Sequence, residues 1–224
     1  MASAKKTVEL FYDVVSPYAW IGFEVLCRYK TRWNIDLKLR PFFLGGVMQA
    51  SGNQPPAMVP RKAVYMLKDT ARLSDYYQIP LNQISNFTET VIQKGSLSAQ
   101  RFLTAVDMRQ PEYTEEISRQ LWLRIWSRDE DITQAESLLQ AGKAAKVPEA
   151  LLKEALSSIK DQTVKDKLKK TTDQALDYGA FGAPTIVAYI NNKPEMFFGS
   201  DRFLLLAHAL GEKWQGPLPS SSKL

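Results

Sequence analysis

Apolar side chains first gather at Val8, Leu10 and Tyr12, alternating with Glu9, Phe11 and Asp13. Because Phe11 is apolar too, both faces of the segment are largely hydrophobic, the pattern of a strand covered on both sides. The run ends at Ser16-Pro17. Serine suits an N-cap there, and proline the first helical position, where its missing N–H costs nothing. Trp20, Ile21, Val25, Leu26 and Tyr29 then recur at helical spacing and predict a helix over 17–30. After a turn at Trp33-Asn34, the alternation Asp36-Leu37-Lys38-Leu39-Arg40 predicts a second strand, closed by Pro41. The helical connection makes the two strands parallel, with a right-handed crossover expected.

From 60 to 178 nearly everything reads as helix, with apolar periodicity over 64–77, 99–108, 117–126, 135–145 and 151–159. Pro111, Pro148 and a helix start at Ser96-Leu97-Ser98 divide this block, and Asp131-Ile132-Thr133 offers a further cap. Trp122 and Trp126 stand one turn apart; a ligand platform is one reading, but such an apolar stripe reads first as core. The segment Tyr178-Gly179-Ala180-Phe181-Gly182-Ala183-Pro184 leads into apolar, β-branched 185–190. The turn Asn191-Asn192-Lys193-Pro194 and the short run 196–198 complete a predicted β-hairpin. Ser200 is expected to cap a last helix over 201–210, stopped by Gly211. The order is β-α-β, helices, β-β-α.

A 224-residue chain with 45% hydrophobic and 24% charged residues buries an ample core without disulfides or metals. The net charge of +5 is spread among interspersed acids and bases, so no nucleic-acid partner is expected. Cys27 and His208 are the sole cysteine and histidine, which excludes an intramolecular disulfide and argues against a zinc site. Any thiol chemistry must borrow its sulfur. Cys27, on the apolar side of the first helix, reads as a small buried hydrophobe, and His208, within an apolar run, as a packing residue. Neither a signal-peptide core nor an apolar run of about 18 residues is present, so a soluble intracellular protein without a membrane span is expected. Ser222-Lys223-Leu224 has the form of a peroxisomal address, with the mitochondrial matrix as the second expectation. Nucleophile-elbow, phosphate-loop and dinucleotide glycine motifs are all missing.

The element order, with helices between the halves and Gly182-Ala183-Pro184 before the third strand, resembles the α/β thioredoxin-like fold of the DsbA type. On that plan 1–45 and 179–224 form the thioredoxin-like domain and 46–178 a large helical insertion. The turn after the first strand, where that fold carries Cys-x-x-Cys, reads Ser16-Pro17-Tyr18-Ala19. Without a cysteine there, the protein has no nucleophile of its own for disulfide exchange.

The chain resembles the kappa class of glutathione transferases through Glu9-Leu10-Phe11-Tyr12-Asp13-Val14, Ser16-Pro17-Tyr18, Ser51-Gly52-Asn53-Gln54-Pro55-Pro56 and Lys94-Gly95-Ser96-Leu97. The likeness continues in Arg101-Phe102-Leu103-Thr104-Ala105-Val106, in the stretch from Trp126 to Thr133, in Phe198-Gly199-Ser200-Asp201-Arg202 and in Leu210-Gly211-Glu212-Lys213-Trp214. It implies a homodimer that binds reduced glutathione as cosubstrate, without a metal. Its sulfur would be added to small hydrophobic electrophiles, with hydroperoxide reduction as a second activity. It further implies that Ser16 donates to the glutathione sulfur, with Pro17 and Tyr18 lining it and Asn53 contacting the peptide. The Ala183 backbone, before a cis Pro184, would pair with the cysteinyl backbone, while Ser200 and Asp201, with Arg202, would hold the γ-glutamyl end. Ala183 stands where a bulkier residue is commoner in the class, which bears on pocket shape.

Elementary chemistry supports that role for Ser16. A free thiol of pKa about 8.5 is only a few per cent thiolate at neutral pH. A hydroxyl donating to the anion contributes roughly 1.5–3 kcal/mol, and a helix N-terminus about 0.3–1. Together they lower the thiol pKa by roughly 1.3–3 units. Two alternatives stay open: a glutathione-dependent isomerase of the chromene-carboxylate type, and a noncatalytic interaction or chaperone module that has lost its cysteines.

Overall fold

The computed structural model describes residues 4–219, so the Ser222-Lys223-Leu224 tripeptide lies outside the described residues. Strands β1 (Lys6–Tyr12), β2 (Ile35–Pro41), β3 (Thr185–Ile190) and β4 (Lys193–Phe198) form one sheet in the order β2-β1-β3-β4. Central β1 runs parallel to β2 and antiparallel to β3, with Leu10 opposite both Leu39 and Ile186. Its two-faced apolar pattern follows: Val8, Leu10, Phe11 and Tyr12 are all fully buried. β4 is an edge strand, which lets it carry Pro194 without losing a ladder bond. The hairpin turn is tighter than expected, only Asn191 and Asn192, both at positive φ, and β4 begins at Lys193.

Helix α1 (Pro17–Tyr29) starts where the serine-proline pair predicts: the Ala19 N–H donates to Ser16 Oγ at 3.1 Å. Helix α2 (Leu44–Ser51) carries no strong sequence signal because Gly45 and Gly46 occupy its first turn. A Cβ at Gly45 would stand 2.8 Å from the Phe43 ring, so close packing, not helix propensity, selects glycine there. Beyond it come α3 (Pro60–Tyr77), α4 (Leu97–Asp107), α5 (Thr114–Trp122), α6 (Ala135–Ala144), α7 (Glu149–Ser158) and α8 (Gln162–Asp177). Helix α8 buries Val164, Leu168, Thr171, Thr172 and Ala175, and its threonines hide the apolar period. Widened π-helical turns occupy Thr88–Lys94 and Leu123–Ser127. Trp122 and Trp126 are core: Trp122 stacks on Trp20 at 6.4 Å and packs against Phe23 at 4.8 Å.

Two expectations near the C-terminus need correction. The last helix, α9 (Phe203–Leu210), begins two residues later than expected, with Arg202 at the N-cap, so Ser200 sits in the preceding turn. His208 is exposed on α9 beside exposed Leu204 and Leu205; the helix buries only the face of Phe203, Leu206, Ala207 and Leu210. The apolar run is continuous, but only one face meets the sheet. Gly211 ends the helix at φ +71° as expected. The following segment is strapped to α1: Trp214 stacks on Tyr29 at 4.9 Å, and Tyr29 Oη donates to the Gly216 carbonyl at 2.7 Å.

A buried carboxylate ties the two halves together. Asp13, fully buried at the end of β1, accepts hydrogen bonds from the Val15 N–H (3.0 Å), the Leu44 N–H (3.0 Å) and the Ser96 hydroxyl (2.8 Å). Next to it, Gln100 on α4 donates to the carbonyls of Tyr12 and Phe42. Burial raises the Asp13 pKa from 3.8 to about 6, against the lowering effect of its three donors. A raised native pKa means the folded state holds the proton more tightly. Its contribution to stability is therefore complete below about pH 4 and is lost as pH rises through about 6. Asp13→Asn places an NH2 group against hydrogen-bond donors and should cost about 1–3 kcal/mol. Urea unfolding should show the wild-type advantage shrinking from pH 4 to pH 7; an advantage independent of pH contradicts the assignment.

Candidate active site

A cleft of about 550 Å3 opens where the β1–α1 turn, α2, α3, the Thr88–Lys94 turn and the ends of the β3–β4 hairpin converge. Ser16, Pro17, Tyr18, Asn53, Ala183, Ser200 and Asp201 all line it, so residues from four separated stretches of sequence meet in one place. Arg202 does not line the cleft; it pairs with Asp201 at 2.9 Å on the exposed surface beside it.

Ser16 occupies the junction. Its Oγ accepts from the Ala19 N–H and donates to the Ala183 carbonyl at 3.4 Å, a long and weak bond. Proline at the next position has no N–H, and the Trp20 N–H is taken by the Ser16 carbonyl, so Tyr18 supplies the first-turn N–H with no partner inside the helix. The turn is held from below. Trp122 Nε1 donates to the Ser16 carbonyl at 3.1 Å, and the Ser16 N–H donates to the Asp13 carbonyl at 3.0 Å. The Ala183–Pro184 peptide is cis, and the Pro184 carbonyl accepts from Gly199.

One face of α3 forms the opposite wall, contributing Lys62, Tyr65, Met66, Asp69 and Leu73 at helical spacing. Tyr18 donates to Asp69 Oδ2 at 3.0 Å and Tyr65 to Asp69 Oδ1 at 3.4 Å, a bridge from α1 across to α3. Burial, reinforced by Asp69, raises the Tyr18 pKa and keeps the phenol protonated. At one end of the helix, Tyr77 Oη donates to the Ser200 carbonyl at 3.4 Å. Toward the other, Asn53 Nδ2 donates to the Phe181 carbonyl at 2.6 Å, and Phe181 packs on Phe198 at 4.2 Å. Glycine at 182 permits that stack, because a Cβ there would lie 3.0 Å from the Phe198 ring.

Sequence reasoning missed Gln54, Lys62, Tyr65, Asp69, Phe181 and the apolar lining from 44 to 91. The available signal was α3 itself, an 18-residue helix burying only Thr70 and Tyr77, whose remaining apolar residues face a cleft or solvent. Cys27 stays outside the site, half-buried on α1; burial, then Glu115, raises its pKa and leaves it a thiol. Among the described residues no cluster of His, Cys, Asp or Glu could hold a metal ion, and no helix is long and apolar enough to cross a membrane.

Comparison with known proteins bears on the fold and the family. Residues 7–211 match the family model described as DSBA-like thioredoxin domain. The chain is 53% identical to glutathione S-transferase kappa 1 of Rattus norvegicus and 51% identical to that of Homo sapiens. Each match spans 98% of this chain and 97% of the relative. A solved 2-hydroxychromene-2-carboxylate isomerase superposes with a TM-score of 0.72 at 20% identity, covering 92% of this chain and 94% of that one, which speaks for the fold alone. With half its residues shared along nearly its whole length, this chain belongs to the kappa class of glutathione S-transferases, on a DSBA-like thioredoxin domain.

Proposed function

We propose that the cleft binds reduced glutathione alongside α3 and that the enzyme adds its sulfur to electrophiles, with Ser16 stabilising the thiolate. The observation that carries this reading is the Ser16 hydroxyl at the N-cap of α1, facing the cleft beside the Ala183 carbonyl. In the free protein the hydroxyl hydrogen is spent weakly on that carbonyl. A cysteinyl N–H arriving at the Ala183 carbonyl takes over the acceptor, and Ser16 turns its hydrogen to the sulfur. The unpartnered Tyr18 N–H adds a second donor at the same helix end. Ser200 and Asp201 receive the γ-glutamyl end, Asn53 holds the peptide, and Lys62, an exposed cation on the α3 wall, supplies attraction for a carboxylate. Pro17 and Tyr18 line the sulfur, and Arg202 acts through its ion pair with Asp201.

Formation of a homodimer belongs to the same proposal; the exposed Val64, Tyr65, Leu67 and Tyr76 of α3 offer apolar surface for it. Ser222-Lys223-Leu224 is proposed to direct the protein to peroxisomes. Fluorescent fusion at the N-terminus should give punctate peroxisomal signal that is lost on removing the tripeptide; unchanged or mitochondrial signal refutes that address.

Ser16→Ala should lower kcat toward a generic aryl halide about 10- to 100-fold, the rate equivalent of a charged hydrogen bond. The calorimetric affinity for glutathione should change less than about threefold, because the peptide contacts remain. Titration of the thiolate absorbance should show bound glutathione ionising below pH 7 in the wild type and well above that in the variant. Equal loss of rate and affinity would make Ser16 a binding residue instead. Absence of millimolar glutathione binding in the wild type would favour a noncatalytic module, and turnover of a chromene carboxylate without conjugation would favour an isomerase.

A further inference from the structure

The turn that carries Ser200 and Asp201 is held from two sides. On the sheet side, the Gly199 N–H donates to the Pro184 carbonyl at 3.0 Å. Gly199 lies at φ +97°, and a Cβ on it would stand 2.9 Å from Asp201 Oδ1, so the turn folds that carboxylate back over a bare Cα. On the helical side, Tyr77 Oη donates to the Ser200 carbonyl. That bond is long at 3.4 Å, so it depends on how firmly the ring is held. Tyr77 is one of only two buried side chains on α3, and it does not line the cleft. Burial first, then the neighbouring Tyr76 phenol and the Asp201 carboxylate, push its pKa up to about 12, which keeps the hydroxyl a donor.

Tyr77 is itself clamped by groups outside the cleft. Its backbone carbonyl, one of those left over at the C-terminal end of a helix, accepts from Arg28 Nη1 on α1 at 2.7 Å. The same nitrogen donates to the Pro217 carbonyl at 3.1 Å, in the segment after α9. The Tyr77 ring meets Phe203 edge-on at 6.3 Å, Phe203 stacks on Trp214 at 5.5 Å, and Trp214 stacks on Tyr29 of α1. These contacts close a circuit from α1 through the segment after α9, then α9 and the end of α3, back to α1. We propose that Tyr77 is a positioning residue for glutathione, fixing the Ser200–Asp201 turn where the γ-glutamyl end docks. Segment 212–217 sets Tyr77 in place, although no residue of it lines the cleft. The inference rests on the reading of the cleft as a glutathione site with its γ-glutamyl end at Ser200 and Asp201. The Ser16 turn is held by Trp122 and Asp13 instead, so ionisation of the sulfur does not depend on Tyr77.

The test compares glutathione with N-acetylcysteinylglycine, which keeps the cysteinyl amide and the glycine but lacks the γ-glutamyl end. Tyr77→Phe removes one hydroxyl. With a saturating aryl halide it should raise KM for glutathione about three- to tenfold, the equivalent of one neutral hydrogen bond, with kcat nearly unchanged. For N-acetylcysteinylglycine kcat/KM should change less than about twofold, and the thiolate titration of bound glutathione should not move. A merely structural role would lower both thiols alike. Trp214→Leu, at the far end of the aromatic stack, should shift the ratio of the two kcat/KM values in the same direction. A folded Tyr77→Phe that keeps the wild-type ratio overturns the proposal; where that variant yields no folded protein, an unchanged ratio in Trp214→Leu does so. A wild type with no preference for glutathione over the truncated thiol would overturn the reading beneath it, and the proposal with it.

Discussion

The Asp13 carboxylate is the constraint on which the rest of this structure depends. β1 must end in an abrupt turn for α1 to begin at Ser16, and the backbone of such a turn is buried beneath the helical layer, where unpaired N–H groups are expensive. Asp13 resolves this with one side chain, accepting from Val15 in the turn, from Leu44 at the start of α2, and from Ser96 at the start of α4. One acceptor group therefore sets the relative positions of the sheet and two helices from the intervening block. Its cost is desolvation, visible in the raised pKa of the group.

Because the turn is held in this way, the chemistry above it needs few parts. The Trp122 indole supports the Ser16 carbonyl from the core while the Ser16 hydroxyl faces the cleft, so the backbone of this residue is held by the fold and its side chain is left to the cleft. The long Ser16–Ala183 bond is weak enough to be exchanged for a charged one without breaking a strong interaction. A cysteine at this position would carry its own sulfur into the site. A serine leaves room for a substrate's sulfur and offers the donor hydrogen that the sulfur lacks.

The sheet and the Ser16 turn were legible from sequence because local chemistry dictates them: alternation on β1, a serine-proline start on α1, asparagines in the hairpin. The glutathione roles of Asn53, Ser200 and Asp201 came with the family resemblance, since a turn accounts for Asn53 and a helix cap for Ser200 equally well. Where the sequence misled, tertiary packing had overridden local signal. Leu204, Leu205 and His208 share an apolar run with buried Leu206 and Ala207, yet periodicity cannot say which part of an all-apolar helix meets the sheet. Helix α2 was hidden by glycines chosen for Phe43, whereas α8 was read as helix but its apolar period was masked by threonines that return their hydroxyls to the helix backbone, as Thr172 does to Leu168.

The cleft wall on α3 was illegible for a related reason. Only two of that helix's side chains are buried, so the apolar periodicity read over 64–77 does not mark a core stripe, and its face toward the cleft mixes Lys62, Tyr65, Met66, Asp69 and Leu73. A face of mixed polarity is not marked by a hydrophobic period. The tyrosine–aspartate bridge marks the change along it: Tyr18 from the thioredoxin half reaches Asp69 midway along α3, with Lys62 on one side and Leu73 on the other. Such a bridge fixes the width of the cleft without filling it. The apolar residues of the wall can then vary while the Ser16 turn stays tied to Asp13.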